Sequence, residues 1–326
     1  MKAPRISIVI PVYGCGDCLS ELCSRLSSTL SSISHDYEIF LVNDASPDGA
    51  WELINQLSKE DERIKGINLS RNFGQHIAIT AGLDLARGDW VVVMDCDLQH
   101  RPEEISRLYE KVMEGYDMAV GMRTLRNDSA LKKLGSRVFY RVLAYLTDTK
   151  IDDRLTNFGI YSQKTVRAIT ALREQNRAFG LLALWVGFRR AEIGIEHASR
   201  PYGTSAYTLR RMMSLALDSI LSHSDRPLRL TVKFGLFLSF FSFLYAIWIL
   251  MRYFFWETPV AGWSSIIVSI YFTAGLLMGS VGVVGLYVGK IFSEVKGRPL
   301  YLIDSTTFRL ESSKRASASI PSQDGD

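Results

Sequence analysis

Two aspartates, Asp95 and Asp97, stand one residue apart at the end of an apolar run, and this spacing is suited to binding a divalent metal. Residues 91–94 (VVVM) are apolar and mostly β-branched, which predicts a buried strand. In an extended chain, residues i and i+2 point the same way, so both carboxylates should face one side and Cys96 the other. We therefore expect a concentration of negative charge at the end of this strand.

This pair of carboxylates needs a compensating group. Two like charges at 4 Å repel by roughly 4 kcal/mol at an effective dielectric constant near 20, so a cation, a shared proton or water must offset them. Mg²⁺ typically takes one or two carboxylates and completes its shell with substrate phosphates. An acidic turn before the helix that begins near Pro102 would use the same residues. The spacing alone leaves both interpretations open.

Strands and helices alternate on both sides of these aspartates. The pattern predicts strands over residues 6–13, 37–44, 64–70 and 90–95, separated by helices over residues 17–33, 48–57 and 75–86. A helix over 102–114, a strand over 116–121, a strand over 158–162, helices up to about residue 185 and a strand over 188–196 follow. This alternation predicts an α/β domain over residues 1–205, built on a mostly parallel sheet that is covered on both faces.

Polar or turn-forming residues follow each of the first four predicted strands. They are Pro11 and Tyr13, Asn43 and Asp44, Arg71 and Asn72, and Asp95 and Asp97. Because parallel sheets bind ligands at the carboxyl ends of their strands, these residues predict one shared crevice. The first strand is not followed by GxGxxG and the chain has no GxxxxGK[ST], which argues against a dinucleotide site and a P-loop.

Two uncharged apolar segments follow the α/β domain, over residues 234–251 and 258–289. Each is long enough to cross a hydrocarbon layer of about 30 Å as a helix, although a buried helix of a soluble protein is the alternative for the first. Basic residues precede the first segment and follow the second, and only Arg252 lies in the short connection. The positive-inside rule therefore predicts two transmembrane helices within residues 230–292, with both termini and the α/β domain on the cytoplasmic side of the membrane. No long apolar leader precedes Ile6, so we expect no signal peptide.

The segments beside these spans have distinct compositions. Residues 206–229 include an amphipathic stretch over 207–222 in which Arg210 and Arg211 accompany apolar residues, which predicts a helix at the membrane surface. Residues 293–326 are expected to form a cytoplasmic tail, and after Ser305 the chain is Ser-rich and polar, which predicts disorder.

Charge and cysteine content narrow the function further. The net charge is only +4, and the soluble part has no basic stripe interleaved with aromatic residues, which argues against nucleic acid as a partner. Cys15 and Cys18 form a CGDC pair that is similar to a redox motif, but no second pair completes a zinc site, so we expect reduced, incidental thiols. A basic stretch from Arg123 to Arg141, which includes Arg137, predicts either a solvated helix face or an anion site.

The ordered set of motifs resembles a known family. IPVY, VNDASPD, SRNFGQH, AGLDLARGD, MDCDLQH, FYRVL, WVGF and RPYGTSAY are followed by two terminal spans, and together they cover residues 5–301. The set is similar to the polyprenyl-phosphate glycosyltransferases of glycosyltransferase family 2. The resemblance implies a GT-A fold, a nucleotide-diphosphate sugar as donor (most often UDP-linked), Mg²⁺ or Mn²⁺ as cofactor, and a polyprenyl phosphate such as undecaprenyl phosphate as acceptor.

The resemblance also implies roles for individual residues. Pro11, Tyr13 and Asp44 would hold the nucleoside, Asp95 and Asp97 would form the DxD metal motif, and Gln99 would lie beside the sugar or metal. Arg123, within GMR, and Arg137 would neutralise phosphates. Arg200, Tyr202 and Ser205 would belong to a loop that closes over the site, while Arg210 and Arg211 would meet the acceptor at the membrane surface.

Two departures from the family pattern bear on the mechanism. Asn157 stands in TNFGI where many members carry an acidic residue, and Ser205-Ala206-Tyr207 lacks the lysine of the S-K-Y motif. Asn cannot accept a proton at neutral pH. A phosphate monoester has a second pKa near 6, however, so the acceptor is already anionic at pH 7 and a direct displacement with inversion needs no base.

The sequence also bears on two alternative functions and on oligomerisation. A processive polysaccharide synthase should carry a QxxRW motif and more spans, whereas Gln175 is followed by Asn176, Arg177 and Ala178. A membrane scaffold that merely retains the fold is a further alternative, which metal-dependent transfer from a nucleotide sugar would exclude. The Gly275-x-x-x-Gly279 spacing suits close helix packing, so a homo-oligomer is plausible.

Overall fold

The computed structural model of this chain describes residues 5–123, 155–195, 224, 226–255 and 262–310. These residues divide into two compact units. The first comprises residues 5–123, 155–195 and 298–310, and the second comprises residues 224, 226–255 and 262–297.

The first unit is an α/β domain on an eight-stranded sheet with strand order β7-β5-β6-β4-β1-β2-β3-β8. Its strands are β1 (Ile6–Val12), β2 (Tyr37–Asn43), β3 (Ile64–Leu69), β4 (Trp90–Val93), β5 (Met118–Arg123), β6 (Leu155–Ser162), β7 (Arg190–Ile195) and β8 (Ile303–Thr306). Its helices are α1 (Leu19–Ile33), α2 (Ala50–Glu60), α3 (Gln75–Leu85), α4 (Glu104–Met113), α5 (Gln163–Ala171) and α6 (Phe179–Trp185), and a 3₁₀ turn over Gly16–Cys18 precedes α1. The predicted α/β class with a mostly parallel sheet is confirmed.

The centre of the sheet is parallel and its flanks are mixed. β1 pairs in parallel with β2 and β4, and β2 pairs in parallel with β3. β6 runs antiparallel between β4 and β5, and β8 runs antiparallel to β3. The carboxyl ends of β1, β2, β3 and β4 therefore lie at one edge of the sheet, together with the amino end of β6.

Both faces of the sheet are buried, which explains the continuous apolar runs of its central strands. On one face Ile8 and its neighbours pack under α1, α2 and α4, and on the other Val9 and its neighbours pack under α3, α5 and α6. α3 lies unusually close to β1, because a Cβ on Gly82 would come within 2.4 Å of Val9 Cγ1. A side chain at residue 82 would therefore displace the helix that begins at the carboxyl edge.

Residues 298–310 of the predicted carboxyl-terminal tail belong to the α/β domain. β8 pairs with β3 through Ile67 and Thr306, and the Tyr301 hydroxyl donates to Asp84 Oδ2 at 2.8 Å. The prediction that residues 293–326 form a tail outside the catalytic domain is therefore wrong for residues 298–310. Local composition misses this strand because its partner lies more than 200 residues away in the sequence. Residues 311–326 lie outside the described residues.

The second unit contains two long helices, α7 (Arg226–Phe255) and α8 (Trp263–Val295). Both are long and apolar enough to cross a membrane over residues 226–245 and 269–295, and their apolar side chains are exposed. The hydroxyl of Tyr287 in α8 donates to the carbonyl of Ser224 at 2.6 Å. α7 begins at Arg226, within the predicted surface segment 206–229. The amphipathic stretch 207–222 lies outside the described residues.

Candidate active site

Three loops meet at the carboxyl edge of the sheet, since the strands that precede them are parallel neighbours. They follow β1, β2 and β4. The N–H of Asp44 donates to the carbonyl of Val12 at 3.0 Å, and the N–H of Met94 donates to the carbonyl of Val9 at 3.2 Å. The predicted crevice is therefore assembled by backbone pairing of the central strands.

The loop after β4 carries the two aspartates, but it is not extended. β4 ends at Val93, two residues before the predicted end, and Leu98 adopts a left-handed conformation with φ of 56°. The alternation of an extended strand therefore does not apply to Asp95 and Asp97. A non-glycine residue in this region costs about 1 kcal/mol and is found most often at functional loops.

The two carboxylates contact different neighbours. Asp95 Oδ1 accepts from the amide Nε2 of Gln75 at 2.5 Å, and its Oδ2 lies 4.0 Å from His100 Nδ1. Asp97 Oδ1 accepts from the backbone N–H of Gln99 at 3.2 Å. Both aspartates are half-buried, and 29% of the Asp95 side chain is exposed. Gln99 thus lies beside Asp97, as a turn partner through its backbone.

The loop after β1 is held by hydrogen bonds to the loop after β2. The Gly14 N–H donates to Ser46 Oγ at 2.7 Å, and the Gly16 N–H donates to Asp48 Oδ2 at 2.8 Å. Burial alone would raise the pKa of Asp48, but its hydrogen bonds from Ser46, Gly16 and Ala50 lower it below the ordinary value. An ionised Asp48 therefore anchors the first loop to the second.

A disulfide joins the first loop to the aspartate loop. It links Cys15 with Cys96, which are buried, while Cys18 and Cys23 are free and buried. The prediction that the CGDC cysteines are incidental is wrong for Cys15, because it pairs with Cys96 rather than with Cys18. Cys18 is the nearest cysteine to Cys15 in the sequence, so the CGDC motif suggests that these two belong together. The partner of Cys15 in space is instead a cysteine of the loop after β4.

The predicted nucleoside residues occupy different environments. Tyr13 is 54% exposed in the first loop, where its ring is available to a ligand. Pro11 instead lies inside β1, buried and paired with Val42. The structure thus corrects the expectation that Pro11 follows the strand as an accessible residue, because β1 continues to Val12.

Asp44 is only 2% exposed and supports the start of α3. Its carboxylate accepts from the backbone N–H groups of Phe73 and Gly74 at 2.7 and 2.8 Å. Burial raises the pKa of Asp44, and these two hydrogen bonds oppose that effect. Asp44 thereby fixes the segment that delivers Gln75 to Asp95. A direct contact between Asp44 and a nucleoside stays a prediction.

Backbone register brings Asn157 to the same edge. The last pair between β4 and β6 is Val93 with Gly159, and Asn157 lies two residues before Gly159, near the amino end of β6. Arg123 ends β5, where its backbone pairs with Ile195. The remaining predicted site residues lie outside the described residues: Arg137, Arg200, Tyr202, Ser205, Arg210 and Arg211.

Three residues of the site were not singled out from sequence: Gln75, His76 and His100. Both histidines are supported by neighbours, since His76 Nδ1 accepts from the Phe179 N–H at 3.4 Å and the buried His100 ring stacks on Phe158 at 5.1 Å. Burial and nearby Arg177 lower the pKa of His76, so it is neutral at pH 7. The motifs SRNFGQH and MDCDLQH contained these residues, but only the fold shows that Gln75 and His100 meet at Asp95, whereas His76 contacts Phe179.

A polar cavity of about 480 Å³ opens beside the crevice at the ends of β2 and β3. Asn43 Nδ2 donates to Asn68 Oδ1 at 2.8 Å, and Asn68 Nδ2 donates to Asp304 Oδ2 at 3.1 Å. Asp304 belongs to β8, so the carboxyl-terminal strand contributes a side chain to this edge. The cavity is lined mainly by amide, hydroxyl and carboxylate groups.

The donor set at the aspartate loop fits a hard divalent cation. Asp95 and Asp97 offer carboxylate oxygens that are partly exposed, which are the ligands that Mg²⁺ and Mn²⁺ prefer. Within the described part of the chain, no group of three His, Cys, Asp or Glu side chains could hold a metal ion. The described residues thus offer two carboxylates here, which matches the way Mg²⁺ takes one or two carboxylates and fills its other positions with water and substrate phosphates.

The comparison with protein families decides the class to which this site belongs. A family model described as "Glycosyl transferase family 2" matches residues 7–170, which is half of the chain. The chain belongs to glycosyltransferase family 2. Its α/β domain has the GT-A fold of these enzymes, and the matched residues include the loops after β1, β2 and β4. The chain is therefore a glycosyltransferase, as its motifs predicted.

Similar proteins match most of this glycosyltransferase. It is 36% identical to the uncharacterized glycosyltransferase YkcC of Bacillus subtilis, over 93% of this chain and 94% of the relative. It is 34% identical to a prophage-derived bactoprenol glucosyl transferase of Shigella flexneri, over 92% of this chain and 97% of the relative. It is also 34% identical to an undecaprenyl-phosphate 4-deoxy-4-formamido-L-arabinose transferase of Aeromonas hydrophila, over 91% of this chain and 92% of the relative.

Solved structures resemble part of the glycosyltransferase more distantly. Glucosyl-3-phosphoglycerate synthase from Mycobacterium tuberculosis, solved with Mn²⁺, UDP-glucose and phosphoglyceric acid, has a TM-score of 0.47 and 15% sequence identity. The match covers 67% of this chain and 78% of that protein.

Proposed function

We propose that this glycosyltransferase moves a sugar from a nucleotide-diphosphate sugar, with UDP as the expected nucleotide, to polyprenyl phosphate at the cytoplasmic face of a bacterial plasma membrane. One observation carries the proposal: relatives named for bactoprenol and undecaprenyl phosphate are 34% identical over more than nine-tenths of this chain. The match with the Shigella relative leaves about 26 residues of this chain outside, which is fewer than α7 alone contains. The similarity therefore extends beyond the α/β domain.

The two long helices support a lipid acceptor. Large apolar side chains are exposed along both of them, among them Phe243 at 64% and Met278 at 75%. Exposed apolar area costs about 25 cal/mol per Å² in water, so such helices require a hydrocarbon environment. Both helices would cross the membrane, with the basic residues at their outer ends on the cytoplasmic side. The phosphate of a polyprenyl lipid lies at that surface.

Asp95 and Asp97 would hold Mg²⁺ or Mn²⁺ together with the donor diphosphate. When bound, the cation supplies positive charge that stabilises the departing nucleotide diphosphate. The chain positions these carboxylates in two ways: Gln75 donates to Asp95, and the turn at Gln99 donates to Asp97. Asp44 in turn fixes the loop before Gln75, so the crevice is organised before the donor arrives.

The acceptor needs no general base in this mechanism. The phosphate of polyprenyl phosphate is anionic at pH 7, because its second pKa is near 6, so its oxygen can attack the anomeric carbon directly. The reaction is an in-line displacement that inverts the configuration of the sugar and releases the nucleotide diphosphate. Asn157, near the amino end of β6, would then orient a hydroxyl of the sugar without taking a proton. Arg123 and Arg137 would offset the charges of the phosphates.

The proposal is tested with membranes that contain the full-length protein. They are incubated with undecaprenyl phosphate and a panel of nucleotide sugars in Mg²⁺ or Mn²⁺, and the lipid product is identified by mass spectrometry. We expect one sugar to be added to the lipid phosphate, with loss of product in EDTA. Membranes that contain the Asp97→Asn variant are the control. A polymeric product, or hydrolysis of the donor without lipid product, would contradict the proposal.

The assembly state is a separate proposal. Gly275 and Gly279 stand one turn apart on α8, and a Cβ on either would meet no atom within 4 Å. Small residues at this spacing allow close helix packing in membranes. We expect α8 to pack against a second copy through this face. Cross-linking in native membranes, with Gly279→Leu as the disrupting variant, measures whether an oligomer forms.

A further inference from the structure

Two cysteines meet beside the metal-binding aspartates, and the proposed reaction uses neither. Cys15 lies in the loop after β1 and Cys96 lies between Asp95 and Asp97. A disulfide joins them across 81 residues of sequence, with 6.3 Å between their Cα atoms. This separation is within the range of about 4.4–6.8 Å that a disulfide requires, so the two backbones are already placed for the bond.

Whether this disulfide forms depends on the redox state of the compartment in which the domain lies. Cytoplasmic proteins are kept reduced by the thiol pool, and cytoplasmic disulfides are usually transient. If the α/β domain works in the cytoplasm, its ordinary state has two thiols, and the disulfide-linked state forms under oxidation. We propose that Cys15 and Cys96 are a redox-active pair whose oxidation weakens binding of the metal and the nucleotide sugar, and whose reduction restores it. This inference rests on the proposed function, because the site that it regulates is the donor site.

The position of Cys96 explains why the bond should act on the metal ligands. Mg²⁺ demands near-ideal octahedral geometry, so the two carboxylates must converge on one point. In the disulfide-linked structure Asp95 accepts from Gln75, whereas Asp97 accepts from the N–H of Gln99. Cys96 lies between the two ligands, so any adjustment that brings both carboxylates onto one cation moves the backbone on either side of it. A covalent bond on the residue between the two ligands restricts that adjustment.

The other end of the bond is firmly supported, so the restraint is passed to the aspartate loop. The Gly14 N–H donates to Ser46 Oγ and the Gly16 N–H donates to Asp48 Oδ2, on either side of Cys15. Asp48 also accepts from Ser46 Oγ at 2.5 Å. Cys15 is therefore fixed to the loop after β2, and oxidation ties the loop after β4 to this support.

The burial of the pair selects a small oxidant. Cys15 is 9% exposed and Cys96 is 7% exposed, which leaves little room for a bulky disulfide such as oxidised glutathione. Hydrogen peroxide is small enough. One thiol reduces it to water and becomes a sulfenic acid, and the second thiol displaces the sulfenic oxygen as a second water. Two thiols and one peroxide thus give one disulfide and two waters. A dithiol reductant reverses the bond by exchange and is itself oxidised to a disulfide.

The test measures bond formation and ligand binding separately. Full-length protein in detergent micelles is reduced with dithiothreitol, treated with hydrogen peroxide and freed of reagent. Peptide mapping after alkylation locates the disulfide, and calorimetry measures binding of UDP and of GDP in the presence of Mn²⁺. We expect a Cys15–Cys96 disulfide after peroxide, nucleotide affinity reduced about 10-fold or more, and recovery of affinity with dithiothreitol.

Two cysteine variants isolate the pair. Cys15→Ser removes the bond without altering the aspartate loop, and its nucleotide affinity should be insensitive to peroxide. Cys18→Ser is the matched control, because Cys18 is a buried cysteine of the same loop that forms no disulfide, and it should respond to peroxide as the wild type does.

Three results would overturn the inference independently of the proposed function. They are a mapped disulfide with unchanged affinity, peptide mapping that finds no Cys15–Cys96 bond, and loss of affinity that persists in Cys15→Ser. A reduced protein that binds neither nucleotide would overturn the inference through the proposed function. That result is distinguishable, because peptide mapping would still find the disulfide.

Discussion

Carboxylates lie at both ends of the central strands, and their surroundings differ. At the amino ends, Glu38 is almost fully buried and accepts from Ser7 Oγ at 2.7 Å, from Lys65 Nζ at 2.7 Å and from Arg5 Nη2 at 3.0 Å. The backbone N–H of Arg87 adds a fourth donor. At the carboxyl ends, Asp95 and Asp97 are half-buried and lie in an irregular loop.

The difference separates a structural charge from one that we propose to be functional. A buried carboxylate is stable only when cations and hydrogen-bond donors surround it, and Glu38 has such a set on neighbouring strands. The donors identified above for Asp95 and Asp97 are an amide and a backbone N–H. The amino ends therefore use charge to hold strands together, whereas the carboxyl ends present partly exposed carboxylate oxygens of the kind that a divalent cation prefers.

The largest expected effect concerns the carboxyl ends. Asp97→Asn should reduce turnover by about 10²–10³-fold, because the site loses a charge that acts on the departing diphosphate. Its thermal unfolding midpoint should stay near that of the wild type. Asp17→Asn, an exposed aspartate in the first loop, is the matched control and should keep wild-type turnover. Turnover of Asp97→Asn near the wild-type value, with metal dependence intact, would contradict the assignment.

The matching substitution at the amino ends of the strands is Glu38→Gln. Glu38→Gln should destabilise the α/β domain by roughly 3 kcal/mol, since it leaves Lys65 and Arg5 beside a neutral group, although both cations are partly exposed. Thermal unfolding in detergent measures the loss, and nucleotide binding by the folded fraction should be unchanged. Equal loss of binding and stability would mean that the two ends are not independent.

The pH dependence of stability provides a finer test of Glu38. Burial alone would raise its pKa, but the hydrogen bonds from Lys65 and Ser7 outweigh burial and lower the pKa below the ordinary value of 4.5. A lowered pKa contributes stability above the unfolded-state value, and this contribution is lost as the pH falls through the folded-state value. The thermal unfolding midpoint of the wild type should therefore decrease as the pH is lowered below about 4.5. The midpoint of Glu38→Gln should decrease less over the same pH range. Equal decreases of the unfolding midpoint at low pH in the wild type and in Glu38→Gln would refute this role.

A carboxylate of α3 ties down the segment that leads into the carboxyl-terminal strand β8. Asp84 accepts from Tyr301 at 2.8 Å and pairs with Arg173, whose side chain is 53% exposed. Tyr301→Phe removes one hydrogen bond and should cost about 1 kcal/mol. Its unfolding midpoint should fall slightly with unchanged turnover. A marked fall in turnover would show instead that the position of β8 controls the crevice.

The smallest expected effect concerns Asn157. Asn157→Asp should not raise turnover, because an anionic acceptor requires no base and a new negative charge would lie at the same edge of the sheet as Asp95. Initial rates of lipid product formation measure the effect, with Asn157→Gln as a neutral comparison. A sharp increase in the Asp variant would mean that the reaction needs a base at this position.

Much of the α/β domain could be predicted from local pattern. The strands and helices up to Met113 lie within a few residues of their predicted bounds, and the shared crevice follows from polar residues at successive strand ends. The prediction was less accurate where pairing is not local. The strand predicted over 158–162 begins at Leu155, and this extension places Asn157 within β6 rather than before it.

The sequence by itself determined the alternating elements, the two long apolar helices and the residue types of the crevice. These features are local, because periodicity and composition decide which face of a strand or helix is buried. The tertiary structure decided that Cys15 bonds to Cys96, that Gln75 contacts Asp95, and that β8 closes the sheet beside β3. Periodicity reports that a side chain is buried, but not which distant residue covers it, and only the packed sheet makes that choice.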